Sequence, residues 1–365
     1  GLTRKAKIKN YINMSNIRFT KLLHVNNPTS IHGIYPYRGK IASVEAKLIV
    51  EQLPKNSVIL DPFCGSGTIT FEGICNDLHV FGVDNNPLAI WICRGKLDSL
   101  SKKLSAFEEE LNELIEKSKA VKKVIAMPNI AKKHFHEKTA EEIMRMVPYL
   151  EGMSDYLRAA FFGTIALAAR GCNHYKWTSS TVGKDINPKQ YIPFYSKFKQ
   201  KIKKHHPNKG ARNDAKIYLK DSRTLSKFIP AKSIDFVFTS PPYFNGLDYT
   251  AYYGKLIYWI LGKDRAEIKK GLIQTVQSYE NDMRKVLNEI VRVTKDNGQI
   301  IFVVGDKKIG KEIINGGDFF SNLLHHKPNQ IIERNYTGTS SQVFDKLNRT
   351  ERKEQIVIWD KATWN

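Results

Sequence analysis

From residue 57 onward the apolar residues gather in short runs separated by polar turns. The runs are SVIL (57–60), HVFGVD (79–84), AKIYLKDSRTL (215–225), SIDFVFTS (233–240), GQIIFVVGD (298–306) and EQIVIWD (354–360). Runs of this length, rich in Val, Ile and Phe, read as strands buried in a sheet. A glycine-containing turn and a helix over 68–76 separate the first two, and a helix over about 41–53 precedes them. Strand, tight turn, helix and strand form the βαβ unit of a parallel sheet. Further helices are expected over 250–261 and 278–293.

Between the second and third runs the period changes. Leu97, Leu100, Leu104, Phe107, Leu111 and Leu114 recur at spacings of three and four, which predicts one long helix with a single apolar stripe packed on its own domain. Residues 139–170 continue helically, and YLRAAFFGTIALAAR is apolar enough to be buried. From Gly171 to Lys216 the chain turns to Lys, His, Asn, Pro and aromatics and reads as inserted sequence. The expected organisation is a basic arm over 1–30, a sheet-bearing domain over 31–96 and 216–365, and a helical, basic insertion over 97–215.

Charge narrows the choice of partner. The 365 residues carry 58 Lys and Arg against 36 Asp and Glu, a net charge of +22, which favours a polyanion and nucleic acid first. Cys64, Cys75, Cys93 and Cys172 form no Cys-x-x-Cys pair, so neither a zinc site nor a disulfide framework is expected, and a reducing compartment is. The first thirty residues lack the apolar centre of a signal peptide and no run of 18 apolar residues occurs. The expectation is a soluble, cytoplasmic protein with no membrane partner.

The turn DPFCGSGT (61–68) follows a buried strand and opens a helix, where Gly65 and Gly67 let a ligand approach the backbone. Asp84, with Asn85 beside it, ends the next strand, the position from which a carboxylate accepts hydrogen bonds from both ribose hydroxyls. The pair points to a cofactor bearing adenosine. Thr70 stands where a dinucleotide fingerprint would carry its third glycine, and no Gly-Lys-Ser or Gly-Lys-Thr follows for a triphosphate. S-adenosylmethionine has no phosphate and needs room at this turn, which Asp61, Phe63, Gly65, Gly67 and Thr68 would border. Asp221, followed by Ser222, ends the strand expected in the third run, where it would take the adenine amino hydrogen; Tyr35, Arg38 and Lys40 would hold the methionine carboxylate or flank the cofactor.

TSPPY (239–243) sits at the end of a parallel strand, where ligands bind. Pro241 and Pro242 have fixed φ and no N–H, so the segment presents a carbonyl at a rigid angle, and Ser240 adds a side-chain oxygen. Two acceptors suit an exocyclic amino group whose lone pair must be turned toward a methyl donor, catalysis by positioning and electrostatics. Tyr243 would stack on a base that has left its duplex.

DPFCGSGT, VDNNP, KDSRTL and TSPPYFNGLDY together resemble the successive motifs of the amino-methyltransferases that use S-adenosylmethionine to modify cytosine N4 or adenine N6 in DNA. The resemblance implies a Rossmann-like α/β fold with a mainly parallel seven-stranded sheet. It places Asp61, Gly65 and Gly67 around the methionine part, Asp84 at the ribose, Asp221 at the adenine, and Ser240, Pro241 and Tyr243 at the base. A serine before Pro-Pro-Tyr is more typical of the cytosine-N4 enzymes, whereas adenine-N6 enzymes usually carry Asp or Asn. This chain departs from many cytosine-N4 relatives in placing the glycine motif first.

If the family's logic holds, residues 97–215 recognise the target. Lys176, Trp177, Lys197, Lys201, Lys203 and Lys204, with Asp248 and Tyr249 after the catalytic motif, are the candidate contacts to nucleic acid. The expectation is N4 methylation of a flipped cytosine in double-stranded DNA, as in a restriction-modification system with a cognate endonuclease. Adenine-N6 methylation, an RNA base amino-methyltransferase and a nonenzymatic nucleic-acid-binding module stand as alternatives. Cytosine-C5 chemistry is disfavoured, since its nucleophilic cysteine normally follows a proline and no Pro-Cys pair occurs.

Overall fold

Alternating positions along adjacent strands sort into two separate cores. Ile59, Phe236, Phe238, Ile301, Ile356 and Ile358 join one; Leu60, Val237, Ile300, Phe302, Val357 and Trp359 join the other. Successive side chains of a strand point to opposite faces, so a period of two divides a sheet that is covered on both sides. The computed structural model describes residues 30–37, 41, 43–169, 190–242, 253–273, 276–309, 311–336 and 352–364.

The strands are β1 (Val58–Asp61), β2 (His79–Asp84), β3 (Ala215–Leu219), β4 (Ile234–Thr239), β5 (Thr294–Gly305), the hairpin pair β6 (Lys307–Ile309) and β7 (Glu312–Ile314), β8 (Gln330–Tyr336) and β9 (Arg352–Asp360). Seven of them form one sheet in the order β3-β2-β1-β4-β5-β9-β8. Pairing is parallel from β3 through β5, and β9 runs antiparallel to both β5 and β8. The expected mainly parallel, seven-stranded α/β sheet is therefore present. Its order reverses beside β1: the chain steps outward to β2 and β3, then returns to lay β4 on the other side. Such a reversal leaves a crevice at the carboxyl ends of the two central strands.

Helices α1 (Ser43–Val50), α2 (Thr68–Cys75), α3 (Pro87–Asp98), α4 (Leu104–Lys119), α5 (Asn129–Lys132), α6 (Glu137–Met146), α7 (Asp155–Ala169), α8 (Phe194–His205) and α9 (Tyr253–Leu261) contribute to the first core. After α10 (Arg265–Gly271), helices α11 (Val276–Val293) and α12 (Gly316–Leu324) cover the second. Among the described residues no helix is long and apolar enough to cross a membrane.

The stripe expected on one long helix is divided between two. Leu97 lies on α3, Leu100 in the turn that follows, and Leu104 to Leu114 on α4. The break falls where Ser99 and Ser101 donate their hydroxyls to the carbonyls of Lys96 and Asp98, the local competition that makes serine a poor interior helix residue. The helical reading of 139–170 is interrupted likewise at the 3₁₀ turn Val147–Tyr149, which contains Pro148. Within the stretch read as loop-rich insertion, Phe194, Phe198 and Ile202 give α8 a buried stripe. The helices of 97–215 share the first core with α1, α2 and α3; α7 lies so close to α3 that a Cβ on Gly95 would meet Ala159 at 2.3 Å. Edge strand β8 has a mixed polar sequence that carries no strand signal of its own.

Candidate active site

β1 ends in Asp61 and α2 starts at Thr68, so the intervening turn must reverse direction within six residues. Gly65 and Gly67 make this possible with φ of +50° and +87°, in the left-handed region. Any side chain at Gly67 would also collide with Cys93 of α3, 2.6 Å from the added Cβ.

Asp84 fastens this turn to the end of β2. Its Oδ2 accepts from Gly65 N at 2.9 Å and its Oδ1 from Asn86 N at 2.9 Å. Protein surrounds Asp84, although part of its surface stays open to the crevice, and this burial pushes its carboxyl up to about 6 despite the two N–H donors. Asp61 is more enclosed, 2% exposed. Desolvation raises it to about 7, opposed by hydrogen bonds from Thr239 and the Phe63 amide.

The catalytic candidate is held from both sides. Thr239 donates Oγ1 to Asp61 Oδ1 at 2.6 Å, and the buried Tyr279 of α11 donates its hydroxyl to the Pro242 carbonyl at 2.7 Å. Ser240 between them borders two adjoining cavities. The larger, about 600 Å3 including its open mouth, extends past Gly65, Asp84, Asn85 and Ser222 to Leu272 and Ile273. The smaller, about 300 Å3, reaches Asp61 and Thr68. Thr68 is 3% exposed, and its Oγ1 has no hydrogen-bond partner among the described residues.

The structure thus brings together Asp61, Phe63, Gly65, Thr68, Asp84, Asn85, Asp221, Ser222, Ser240 and Pro242 around these cavities, with Gly67 behind the turn. Tyr35 does not join them: its ring is buried in the first core. The next tyrosine, Tyr37, two residues on, lines both cavities instead, because side chains two apart in this irregular segment face different surroundings. Ser222 donates to the Pro62 carbonyl at 2.5 Å. Asp221 is engaged by Arg223, with both carboxylate oxygens accepting from the guanidinium. Arg38, Lys40, Tyr243, Asp248, Tyr249, Lys176 and Trp177 lie outside the described residues.

Four further residues of the site escaped the sequence reading. Asn86 is the N-cap of α3, with Pro87 after it, a helix-start signature that could have drawn attention to it. It also accepts from the Tyr258 hydroxyl at 2.6 Å, which ties α9, the helix after the catalytic motif, to the end of β2. Lys220 borders the larger cavity with its ammonium 4.8 Å from the Phe228 ring centre. Leu272 and Ile273 carried no local signal. On α8, Lys203 and Lys204 are exposed on the side away from the buried stripe, whereas Lys197 and Lys201 are half-buried.

Two family descriptions match the chain: "DNA methylase" over residues 234–365, and "D12 class N6 adenine-specific DNA methyltransferase" over residues 44–297, well over half its length. Type II methyltransferase M.MvaI of Kocuria varians is 29% identical over 117 residues, covering 30% of this chain and 26% of that protein. The chain therefore matches about a quarter of that relative's length. Among solved structures, a TehB-like SAM-dependent methyltransferase from Corynebacterium glutamicum is 12% identical with a TM-score of 0.33, covering 88% of this chain and 89% of that one. A putative methyltransferase from Streptococcus mutans in complex with SAH is 11% identical with a TM-score of 0.32, covering 87% and 98%. At these scores the structural likeness adds nothing to the strand order itself.

Proposed function

The chain belongs to the amino-methyltransferase family of S-adenosylmethionine-dependent DNA methylases, and on that premise we propose that it methylates the exocyclic N4 amino group of a cytosine flipped out of double-stranded DNA. The observation that carries this reading is the place of Ser240 at the junction of two cavities, one bordered by Asp84 and the other by Thr68.

The residues fit the cofactor. A ribose suits Asp84, whose carboxylate is fixed by two backbone donors and open to the larger cavity. The Thr68 hydroxyl at the start of α2, without a partner among the described residues, suits an anionic carboxylate in the smaller one. Bound there, S-adenosylmethionine supplies an electrophilic methyl group on a sulfonium sulfur.

The chain's part is to aim the nucleophile. The amino nitrogen of cytosine shares its lone pair with the ring, and acceptors on its two hydrogens favour a pyramidal nitrogen with that pair free. Ser240 Oγ is one acceptor. The Pro241 carbonyl is the other we assign, because Pro242 O already accepts from Tyr279. Asp61 and Tyr279 hold the segment on either side of the reacting group, so little reorganisation is needed when the base arrives. Ser240 Oγ and the Pro241 carbonyl would keep hold of the amino hydrogens while the nitrogen takes the methyl group that the cofactor would supply, and one of the two protons would pass to water.

DNA as substrate is supported by the two family matches and by a net charge of +22. Exposed lysines of α8 would meet its phosphates, and a restriction endonuclease of matching specificity would be the system partner, as the Type II relative suggests. The target-recognition role stays assigned to residues 97–215. Adenine N6 is the second reading, favoured by the D12 description over residues 44–297. Digesting DNA methylated by the protein to nucleosides and identifying the product by mass spectrometry separates the two: N6-methyl-2′-deoxyadenosine in place of N4-methyl-2′-deoxycytidine overturns the first reading. Methylation of an RNA substrate run in parallel, with none of DNA, overturns both.

A further inference from the structure

We infer that Lys96, a buried ammonium behind the glycine turn, is the fixed charge that holds the carboxylate end of the methyl donor in the smaller cavity, acting through the hydroxyl of Ser66. This rests on the assignment of the two adjoining cavities to S-adenosylmethionine.

Lys96 of α3 is 1% exposed, and hydrogen bonds must offset the cost of taking an ammonium out of water. Its Nζ lies 3.3 Å from His32 Nδ1 and 3.3 Å from Ser66 Oγ. An ammonium only donates, so both of those atoms accept from it. His32, in the 3₁₀ turn Ile31–Gly33, therefore carries its ring proton on Nε2 and gives it to Glu72 Oε1 of α2 at 2.8 Å. Ser66 turns a lone pair to Lys96 and keeps its own hydroxyl proton to donate. It is 2% exposed and borders the smaller cavity.

A second hydroxyl meets it there. Thr68 borders the same cavity, and its Oγ1 has no partner among the described residues. It also opens α2, and the N-terminus of a helix favours negative charge. Asp61 borders this cavity too; its carboxylate suits an ammonium and repels an anion. The amino-acid end of the methyl donor carries both charges, so the cavity must order them. Lys96 supplies that order, because a carboxylate bonded to Ser66 would lie within about 6 Å of its ammonium. Glu72, which meets Lys96 through His32, stands one imidazole ring away. Lys96 is a positioning residue: it touches Ser66, and Ser66 would touch the ligand.

The test uses the full chain and two ligands in calorimetry: S-adenosylhomocysteine, and its analogue with hydrogen in place of the carboxylate. Lys96→Met should weaken S-adenosylhomocysteine about tenfold, as for a charge-assisted contact, and leave the decarboxylated analogue within about twofold of the wild type. Ser66→Ala should show the same split, and the double variant should bind about as well as the weaker single one, because both break one device. Equal weakening of both ligands by Lys96→Met would make its part purely structural and overturn the inference. Wild-type affinity for S-adenosylhomocysteine in either variant overturns it as well. Thermal melts show whether Lys96→Met folds; if it does not, the split in Ser66→Ala decides alone. An unaltered protein that binds both ligands equally keeps the cofactor assignment and loses the role of Lys96. If it binds neither, the assignment itself falls, and this inference with it.

Discussion

Thr239 donates its hydroxyl to Asp61 across 2.6 Å, joining the carboxyl ends of β4 and β1 where the strand order of the sheet reverses. The glycine turn and the Ser-Pro-Pro segment, whose bonded residues are 178 apart in the chain, are thereby held as one unit, and the position of Ser240 follows from it.

Thr239→Val keeps the side chain's outline and removes that bond. The buried Asp61 then loses a donor, which should cost about 1–3 kcal/mol of stability, read from thermal or denaturant unfolding. Turnover should fall at least about tenfold, because small misplacements of a reacting group are costly. Retention of full turnover would mean that Ser240 is placed without help from Asp61.

Asp61 also predicts a pH dependence. Burial raises its carboxyl from 3.8 to about 7 in the folded protein, so the folded state binds the proton more tightly than the unfolded chain. Its contribution to stability is therefore complete below about pH 4 and is lost as pH climbs through about 7. Asp61→Asn should remove this slope, gaining on the wild type between pH 5 and pH 8 by as much as a few kcal/mol at about 1.4 kcal/mol per unit. Parallel melting curves for the two proteins across that range would contradict it.

Asp84 sets a second pH effect, on binding. Its carboxyl is pushed up to about 6, and the ionised form is the better acceptor for two ribose hydroxyls. Affinity for S-adenosylhomocysteine should rise as pH is taken from 5 to 7. Asp84→Asn should bind weakly and without that rise, as measured by calorimetry at each pH.

Ser240→Ala removes the acceptor proposed to meet the reacting amino group. The rate constant for methyl transfer should fall on the order of 100-fold, with cofactor affinity within about twofold of the wild type. Equal losses in both would assign Ser240 to binding the methyl donor.

Lys203 and Lys204 stand on the exposed side of α8. Replacing both with Ala should weaken DNA binding and reduce the slope of log K against log salt by up to about 1.8, at about 0.9 for each phosphate no longer neutralised. An unchanged slope would place this side of α8 outside the interface.

The strands, the glycine turn and the residues at their ends were legible because they are local. Strand period, a helix opening after two glycines, and an acidic residue closing the next strand are set by neighbours within about 25 positions. Serine hydroxyls turning back on the helix backbone at residues 99 and 101 were equally local, yet the apolar stripe ran across them. The stripe records which side chains are buried, and two helices can share that record.

The sequence by itself determined that a parallel sheet carries an adenosine-type turn and a rigid Ser-Pro-Pro segment, since those depend on backbone chemistry at fixed spacings. Only the tertiary structure decided that Tyr37 rather than Tyr35 borders the cavities, that Arg223 takes both oxygens of Asp221, and that Leu272 and Ile273 complete the cleft. The reason is physical. A side chain's facing in an irregular segment, and its competition for a carboxylate, are settled by groups tens to hundreds of residues away, which no local pattern records.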